Sequence, residues 1–302
     1  MPELFEICDN YTVLRDGKYI ESGRFEDIDE HRATELLVGR TITNSQRKKS
    51  NIQDETIIKV QNLSAPPYFY DINFEVKKGE VLAVTGLHGD GRGELSEALF
   101  GARKCTEGKV FLNRKELKLK NINNVIRQGV GMVPRNRKER SIIKDMSIRD
   151  NLSVAHFVKE SKNKLINKKT ELSRFYRSQK KTGIKAGSPE DIITSLSGGN
   201  QQKVIIARWL EINSDVYILD NPTQGIDVGA KFEVYKLIDL LASEGKSIII
   251  FSAEFPEIYK VADRCLVLYK GKINADLTGE DMSEKNVMYY ATGANMEGLK
   301  CM

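Results

Sequence analysis

Two neighbouring motifs between residues 193 and 231 combine residue types that bind phosphate and divalent cations. The first motif is Leu196-Ser197-Gly198-Gly199-Asn200-Gln201-Gln202-Lys203. Ser197 is a suitable N-cap, the two glycines let the backbone approach a ligand, and the free amides at the start of the following helix point at an anion. The second motif is the apolar run 216–219, closed by Asp220. It predicts a buried strand with a carboxylate at its carboxyl end, where nucleotide-binding sheets place a group facing Mg²⁺.

A second glycine-rich segment follows the buried strand predicted over 81–85. Its residues are Gly86, Leu87, His88, Gly89, Asp90, Gly91, Arg92, Gly93 and Glu94, and a helix is predicted to run on through Phe100. Strand, glycine-rich loop and helix form a cradle for phosphate. The P-loop pattern requires Lys and then Ser or Thr after its last glycine, whereas this chain has Arg92 and Gly93. Arg92 can contact phosphate as a planar fork, but Gly93 has no hydroxyl for Mg²⁺.

Other elements must hold these motifs in place. Hydrophobic patterning predicts further strands over 56–63, 72–76, 109–112, 130–133, 247–251 and 266–269. The segment 141–193 has apolar residues at helical spacing and is predicted to be helical. Glu254 and Glu257, which follow the strand at 247–251, are expected at the surface.

The sequence LSGGNQQK resembles the signature motif of ATP-binding cassette (ABC) ATPases. With its continuation into PTQGIDVGAK it is similar to the monosaccharide-importer branch, the ribose, galactose and xylose type. The resemblance covers essentially the whole chain. It implies an α/β fold: a P-loop NTPase (RecA-like) core with an antiparallel β subdomain and an α-helical signature subdomain.

The resemblance also assigns roles to individual residues. It implies nucleotide-binding positions at Gly86, Gly89, Gly91, Arg92, Gly93, Glu94 and Arg135. It places Asp220 at the Mg²⁺ position, Asn221 at the position of the general-base Glu, and Ala253 at that of the switch His. The signature positions are Ser197, Gly198, Gly199 and Gln201, and Asp227 belongs to the D-loop, which crosses to a partner cassette. An aromatic near the first strand stacks on adenine in such cassettes. Tyr68, Phe69 and Tyr70 are all candidates, and core packing is the alternative for each.

Five positions of this one ATP site depart from the family pattern: Arg92, Gly93, Arg135, Asn221 and Ala253. An amide cannot accept a proton, so Asn221 removes general-base help of order 10²- to 10⁴-fold. ABC cassettes pair head to tail, and each signature faces the partner's P-loop. The resemblance therefore implies that this chain donates its intact signature to a site on the partner, while its own pocket binds nucleotide weakly or hydrolyses it very slowly.

Residues near the start of the chain recur near its end at a constant offset of 254. Identical pairs include Pro2 and Pro256, Glu3 and Glu257, Asp9 and Asp263, Val13 and Val267, Leu14 and Leu268, Gly17 and Gly271, Lys18 and Lys272, Glu26 and Glu280, Asp27 and Asp281, and Gly39 and Gly293. Such an internal repeat predicts the C-terminal remnant of a first cassette over 1–45 and a polar, basic linker over 46–55. A complete second cassette would then occupy 56–296, with its helical subdomain at about 141–200.

Composition agrees with a protein of ordinary soluble type. The chain has 302 residues, 29% of them charged and 40% hydrophobic, with a net charge of +5. No apolar run approaches the roughly 20 residues that span a bilayer. The four cysteines, Cys8, Cys105, Cys265 and Cys301, have no metal-binding or redox spacing and are expected to be reduced thiols of a cytosolic protein. The scattered histidines suggest no metal cage.

These features predict an ATP-binding subunit, using ATP and Mg²⁺, that energises import of a simple sugar. Its expected partners are a second ABC cassette, membrane permease subunits and an extracellular sugar-binding protein, and no nucleic acid. Its expected place is peripheral, at the cytoplasmic face of the plasma membrane. The alternatives are a non-catalytic coupling module or truncated-gene remnant, and an ATPase of a nucleoside or autoinducer importer. A cassette does not touch the solute, so this sequence leaves the cargo open.

Overall fold

The computed structural model describes residues 2–15, 17–38, 52–160 and 167–294. Its strands are β1 (Asn10–Arg15), β2 (Lys18–Arg24), β3 (Thr56–Ala65), β4 (Phe69–Lys77), β5 (Val81–Gly86), β6 (Glu107–Leu112), β7 (Lys115–Glu116), β8 (Val130–Val133), β9 (Val216–Asp220), β10 (Ser247–Phe251), β11 (Arg264–Tyr269) and β12 (Lys272–Thr278). Its helices are α1 (Pro2–Ile7), α2 (Glu30–Val38), α3 (Arg92–Leu99), α4 (Ile122–Arg127), α5 (Arg137–Arg140), α6 (Ile148–Glu160), α7 (Lys168–Thr182), α8 (Gly198–Leu210), α9 (Val228–Ser243), α10 (Phe255–Val261) and α11 (Glu284–Ala291).

The central sheet has the strand order β12-β11-β5-β10-β9-β8, and all neighbours pair in parallel except the edge strand β12. Strands β5, β9 and β10 are buried on both faces, which explains their continuous apolar sequences. Phe251 pairs with Asp220 on one side and Val84 on the other. The carboxyl ends of β5, β9 and β10 therefore meet at one edge of the sheet, the usual place for a ligand in such sheets.

A second, antiparallel sheet has the order β4-β3-β6-β7. Its inward side chains include Phe69, Ile72 and Val76, which are fully buried in the main hydrophobic core. Together with the parallel sheet and the helices α6, α7 and α8, this arrangement confirms the predicted α/β architecture. Among the described residues, no helix is both long enough and apolar enough to span a bilayer.

A separate small core holds the helical part together. It contains Ile148 and Leu152 of α6, Phe175 of α7 and Val204 of α8. The prediction of helix throughout 141–193 is wrong at the ends of that segment. Helix α7 stops at Gly183, which adopts the left-handed conformation (φ +66°) that glycine tolerates at a helix end. The chain from there to the 3₁₀ turn Ile193–Ser195 is not helical.

Arg208 of α8 joins this helical part to the segment that precedes α6. Its guanidinium donates to the Ser141 carbonyl (2.8 Å), to the Asn151 carbonyl (2.6 Å) and to the Asn151 side-chain oxygen (3.2 Å). Burial lowers the pKa of Arg208 to about 10, so the group stays charged at neutral pH. The neighbouring Trp209 packs edge-to-face on Phe100, with ring centroids 5.5 Å apart.

The repeat found in the sequence is also a repeat of structure. Adding 254 to the bounds of β1 and β2 gives those of β11 and β12, and the 3₁₀ turn Phe25–Asp27 likewise matches Gly279–Asp281. Both hairpins even carry a register shift at the same place, between Val13 and Leu14 and between Val267 and Leu268. Two sequences with the same pattern have thus formed the same supersecondary unit.

The N-cap of α7 gives a test of this local structure. The Asn167 side chain accepts hydrogen bonds from the amides of Lys169 (3.0 Å) and Thr170 (3.4 Å). Asn167→Ala removes both acceptors, and we expect the free energy of unfolding to fall by about 1 kcal/mol. Urea denaturation measures the change. Asn167→Ser, which keeps a capping oxygen, should stay close to the parent chain, and equal stability of the alanine variant would contradict the assigned cap.

Candidate functional site

The glycine-rich loop between β5 and α3 has the backbone shape expected of a phosphate cradle. Gly89 and Gly91 are in the left-handed region, with φ of +82° and +89°. A Cβ atom on Gly91 would lie 2.2 Å from the carbonyl oxygen of Tyr68. Only glycine fits this close approach between the loop and the start of β4, so the loop geometry follows directly from the sequence.

The basic residue of this loop is engaged by the loop itself. The Arg92 guanidinium donates to the Asp90 carboxylate at 2.9 Å and also to the Gly86 carbonyl oxygen, while the other Asp90 oxygen accepts from the Arg92 amide at 2.9 Å. Burial raises the pKa of the Asp90 carboxyl, and the charge of Arg92 opposes that rise. The cation that the sequence assigned to phosphate is therefore paired with an internal carboxylate.

The carboxylate assigned to Mg²⁺ lies beside the loop. Asp220, at the end of β9, is buried and accepts a hydrogen bond from the Ser96 hydroxyl at 2.8 Å. The Arg135 guanidinium lies 3.7 Å from the same carboxylate oxygen and 3.7 Å from Glu97. Burial raises the pKa of Asp220, whereas the Ser96 hydrogen bond and the Arg135 charge lower it.

Glu97 of α3 also forms ion pairs with two further arginines. Arg103 and Arg140 each lie 2.7 Å from its carboxylate. Burial would raise the pKa of Glu97, but hydrogen bonds from Arg140 and Arg103 bring it below the usual value. The Arg103 guanidinium also stacks over the Tyr68 ring, 4.4 Å from its centroid.

The three candidate aromatics have separate positions. Phe69 is fully buried in the core, which leaves its ring no face for a ligand. Tyr68 and Tyr70 are exposed, but Arg103 covers one face of Tyr68. Sequence reasoning missed Arg103 because no motif contains it.

The positions of the general base and of the switch histidine also lie at this edge. Asn221 takes a left-handed conformation (φ +47°), and its amide donates to Asp220 at 3.2 Å. Ala253 is exposed just after β10. The expected surface position of Glu257 is wrong: its side chain is buried and accepts a hydrogen bond from the Thr223 hydroxyl at 2.8 Å. Burial raises the pKa of this carboxyl. Glu254 is exposed, as expected.

The signature forms the start of α8. Ser197 is the N-cap and its hydroxyl accepts from the Asn200 amide at 3.5 Å, while the Gln201 side chain donates to the Leu196 carbonyl at 3.0 Å. Gly199 is packed so closely on α9 that a Cβ atom there would lie 2.4 Å from the Cβ of Ala230. Asp227 caps α9 by accepting from the Ala230 amide at 2.9 Å. The signature and the D-loop are therefore in contact.

Comparison with known proteins bears on what these motifs mean. A family model described as "ABC transporter" matches residues 69–224, from the start of β4 through the glycine-rich loop and the signature to a point just beyond Asp220. The chain belongs to the ABC transporter family.

Curated relatives of this cassette carry importer names. The ribose import ATP-binding protein of Bacillus licheniformis is 38% identical over 97% of the chain, and a putative ribose/galactose/methyl galactoside import ATP-binding protein of Halalkalibacterium halodurans is also 38% identical over 97%. The chain covers 59% of the first relative and 56% of the second. It thus spans little more than half the length of the curated relatives it matches.

Solved structures share the cassette fold. A dimeric ATP-binding cassette in a post-hydrolysis state with ADP and Pi matches 74% of this chain and 98% of its own, at 20% identity and a TM-score of 0.64. A Clostridium perfringens protein that is part of an ABC transporter complex matches 78% of this chain and 93% of its own, at 25% identity and a TM-score of 0.65.

Membership of the family implies ATP with Mg²⁺, and the residues fit the two unequally. The glycine-rich loop and the start of α3 fit a phosphate. The metal position does not fit Mg²⁺, because Gly93 has no hydroxyl and the Arg135 guanidinium lies between Gly93 and Asp220. Nor do the described ranges contain any group of three or more His, Cys, Asp or Glu residues that would hold a metal elsewhere.

Proposed function

We propose that the chain is an ATP-binding subunit that energises import of a simple sugar through an ABC transporter, and that its signature serves an ATP site on a partner cassette. Relatives named for ribose import align with 97% of the chain, which supports the sugar. The intact signature and the altered P-loop of the same cassette support the asymmetric division of roles.

The observation that carries this proposal is the position of the N-terminal hairpin. In the C-terminal copy, Leu268 pairs with Gly86 and the Gly271 amide donates to the Asp90 carbonyl, so the turn of β11 and β12 lies on the P-loop. The turn between β1 and β2 is its repeat equivalent. Arg15, the last residue of β1, lines a cleft of about 660 Å³ together with Ser197 and Gly199.

The consequence is a head-to-tail geometry. If residues 1–45 are the tail of a first cassette, the P-loop of that cassette belongs next to the turn that ends β1. The end of β1 lies beside the signature, and α2 packs against α9 close by. A first cassette whose tail is this hairpin would therefore present its phosphates to Ser197, Gly198 and Gly199.

The remaining partners follow from this assignment. Membrane permease subunits would bind the helical part formed by α6, α7 and α8, and a sugar-binding protein would deliver the solute from outside. The cassette would then work as a peripheral protein at the cytoplasmic face of the membrane. ATP is the nucleotide in this proposal, and hydrolysis takes place at the partner's P-loop with its own Mg²⁺.

The proposal is tested with a chimera in which this chain replaces the matching part of the Bacillus licheniformis relative. We expect Asp220→Asn to leave the ATPase rate of the chimera within about twofold of its parent, because this carboxylate does not serve the hydrolysing site. The matched control is the equivalent Asp→Asn change in the first cassette, which should cost about 10²-fold or more. A loss of about tenfold or more for Asp220→Asn would overturn the asymmetric assignment.

A further inference from the structure

We propose that Arg135 is the resident cation of this cassette's own nucleotide site, that it takes the position in which an intact cassette holds Mg²⁺, and that the site binds nucleoside phosphates without a divalent metal. The inference rests on the proposed function in treating the glycine-rich loop as a nucleotide site. It deepens that function by stating that the ligand is a nucleotide without a bound divalent metal.

Gly93 leaves the space that the Arg135 side chain occupies. A Cβ atom built on Gly93 would lie 2.4 and 2.5 Å from the two terminal nitrogens of Arg135. The P-loop pattern has Ser or Thr at this position, and the hydroxyl of that residue binds Mg²⁺. Gly93 thus removes a metal ligand and opens the space that the Arg135 guanidinium fills. The two departures from the pattern complement each other.

The charges around the Arg135 guanidinium disfavour a divalent cation at this position. The guanidinium lies 3.7 Å from the buried carboxylate of Asp220 and 3.7 Å from Glu97. Asp220 also accepts the Ser96 hydroxyl, so its oxygens already face a donor and a cation. A divalent ion entering here would meet like charge at close range and a carboxylate that is already partnered. The arginine supplies the positive charge instead.

The engagement of their hydrogen-bond donors distinguishes Arg135 from Arg92. Arg92 is held by Asp90 and by the Gly86 carbonyl. By contrast, in the part of the chain that the structure describes, Arg135 makes its two 3.7 Å ion pairs and no hydrogen bond, and about a third of its side chain (31%) is exposed. A guanidinium with unused N–H donors can donate two parallel hydrogen bonds to two oxygens of one phosphate. The group that contacts phosphate would therefore be Arg135.

The experiment measures the affinity of the full chain for ATP by calorimetry, once with excess MgCl₂ and once with excess EDTA. We expect the Kd for ATP measured in EDTA to exceed the Kd measured in MgCl₂ by no more than about threefold. Binding that appears only with Mg²⁺ would overturn the proposal, and so would the absence of ATP binding in both conditions.

Two variants assign the effect to Arg135. Arg135→Gln should weaken ATP binding in EDTA by about tenfold or more, because a charge-assisted contact is lost. Arg140→Gln is the matched control: Arg140 bonds the same Glu97 but does not contact Asp220, so we expect less than about a twofold change. An unchanged Kd for Arg135→Gln in EDTA would contradict the role of this guanidinium.

A double variant tests the same idea as a gain. Gly93→Ser with Arg135→Gln returns a hydroxyl and an amide to the metal position. ATP should then bind more tightly in MgCl₂ than in EDTA, by about tenfold or more. Equal affinity with and without Mg²⁺ would count against the proposal. These assays use the chain alone, so they can fail while the chimera still supports signature donation, and the reverse also holds.

Discussion

Replacing Gly198 by aspartate is expected to lower the ATPase rate of the two-cassette chimera by about 10²-fold or more. The carboxylate would stand at the start of α8, where, under the proposed function, free amides would face the phosphates of the partner's nucleotide. The fold should tolerate the change, because a Cβ atom on Gly198 would lie 2.9 Å from the flexible end of Arg137 and, at an ordinary van der Waals distance of 3.4 Å, from the Gly225 carbonyl oxygen. Steady-state phosphate release measures the rate.

Thr194→Asp provides the control for this substitution. Thr194 is exposed in the 3₁₀ turn just before the signature, so the variant adds the same charge nearby without entering the helix start. Its ATPase rate should stay within about twofold of the parent. If Gly198→Asp were no slower than Thr194→Asp, the signature would have no part in hydrolysis.

Arg208→Met should have the largest effect on stability, with a loss of about 3–5 kcal/mol in the free energy of unfolding. The variant keeps much of the aliphatic stem but removes three donors to the buried acceptors of Ser141 and Asn151. Hydrogen bonds from a charged group are stronger than neutral ones, and their loss leaves polar atoms without a partner.

Urea unfolding measures this loss, provided that the m-value, the slope of the unfolding free energy against urea concentration, is unchanged. Arg177→Met is the companion variant: Arg177 pairs with Glu211 at 2.6 Å from an exposed position on α7, and its removal should cost less than about 1 kcal/mol. Equal losses for the two variants would show that the buried hydrogen bonds of Arg208 stabilise the fold no more than the exposed ion pair of Arg177 does.

The architecture was predictable because its signals are local. Continuous apolar runs specified β5, β9 and β10, and the glycines at 89 and 91 specified the loop through the left-handed conformations that glycine favours. The signature helix starts at Gly198, after the cap predicted at Ser197. The helix predicted over 141–193 failed where Gly183 ends α7, since periodicity alone does not weigh a single terminator.

The contents of the pocket were not predictable, because they depend on contacts between distant residues. The sequence shows that Arg135 departs from a pattern, but it does not show that this side chain reaches Gly93 and Asp220. Nor does it show that Arg92 turns back onto Asp90. Glu257 was misplaced for the same reason: its burial depends on Thr223, which lies on another loop.

The hydrogen bond from Ser96 to Asp220 has a mechanical meaning. It ties α3 to β9 through the side chains of the chain itself, and Arg135 reinforces the connection from Asp220 to Glu97. A cassette whose helix α3 is held to β9 in this way would keep one conformation while the proposed partner cassette opens and closes. Under the proposed function, we expect the partner cassette to move relative to this one and a single nucleotide to be hydrolysed in each transport cycle.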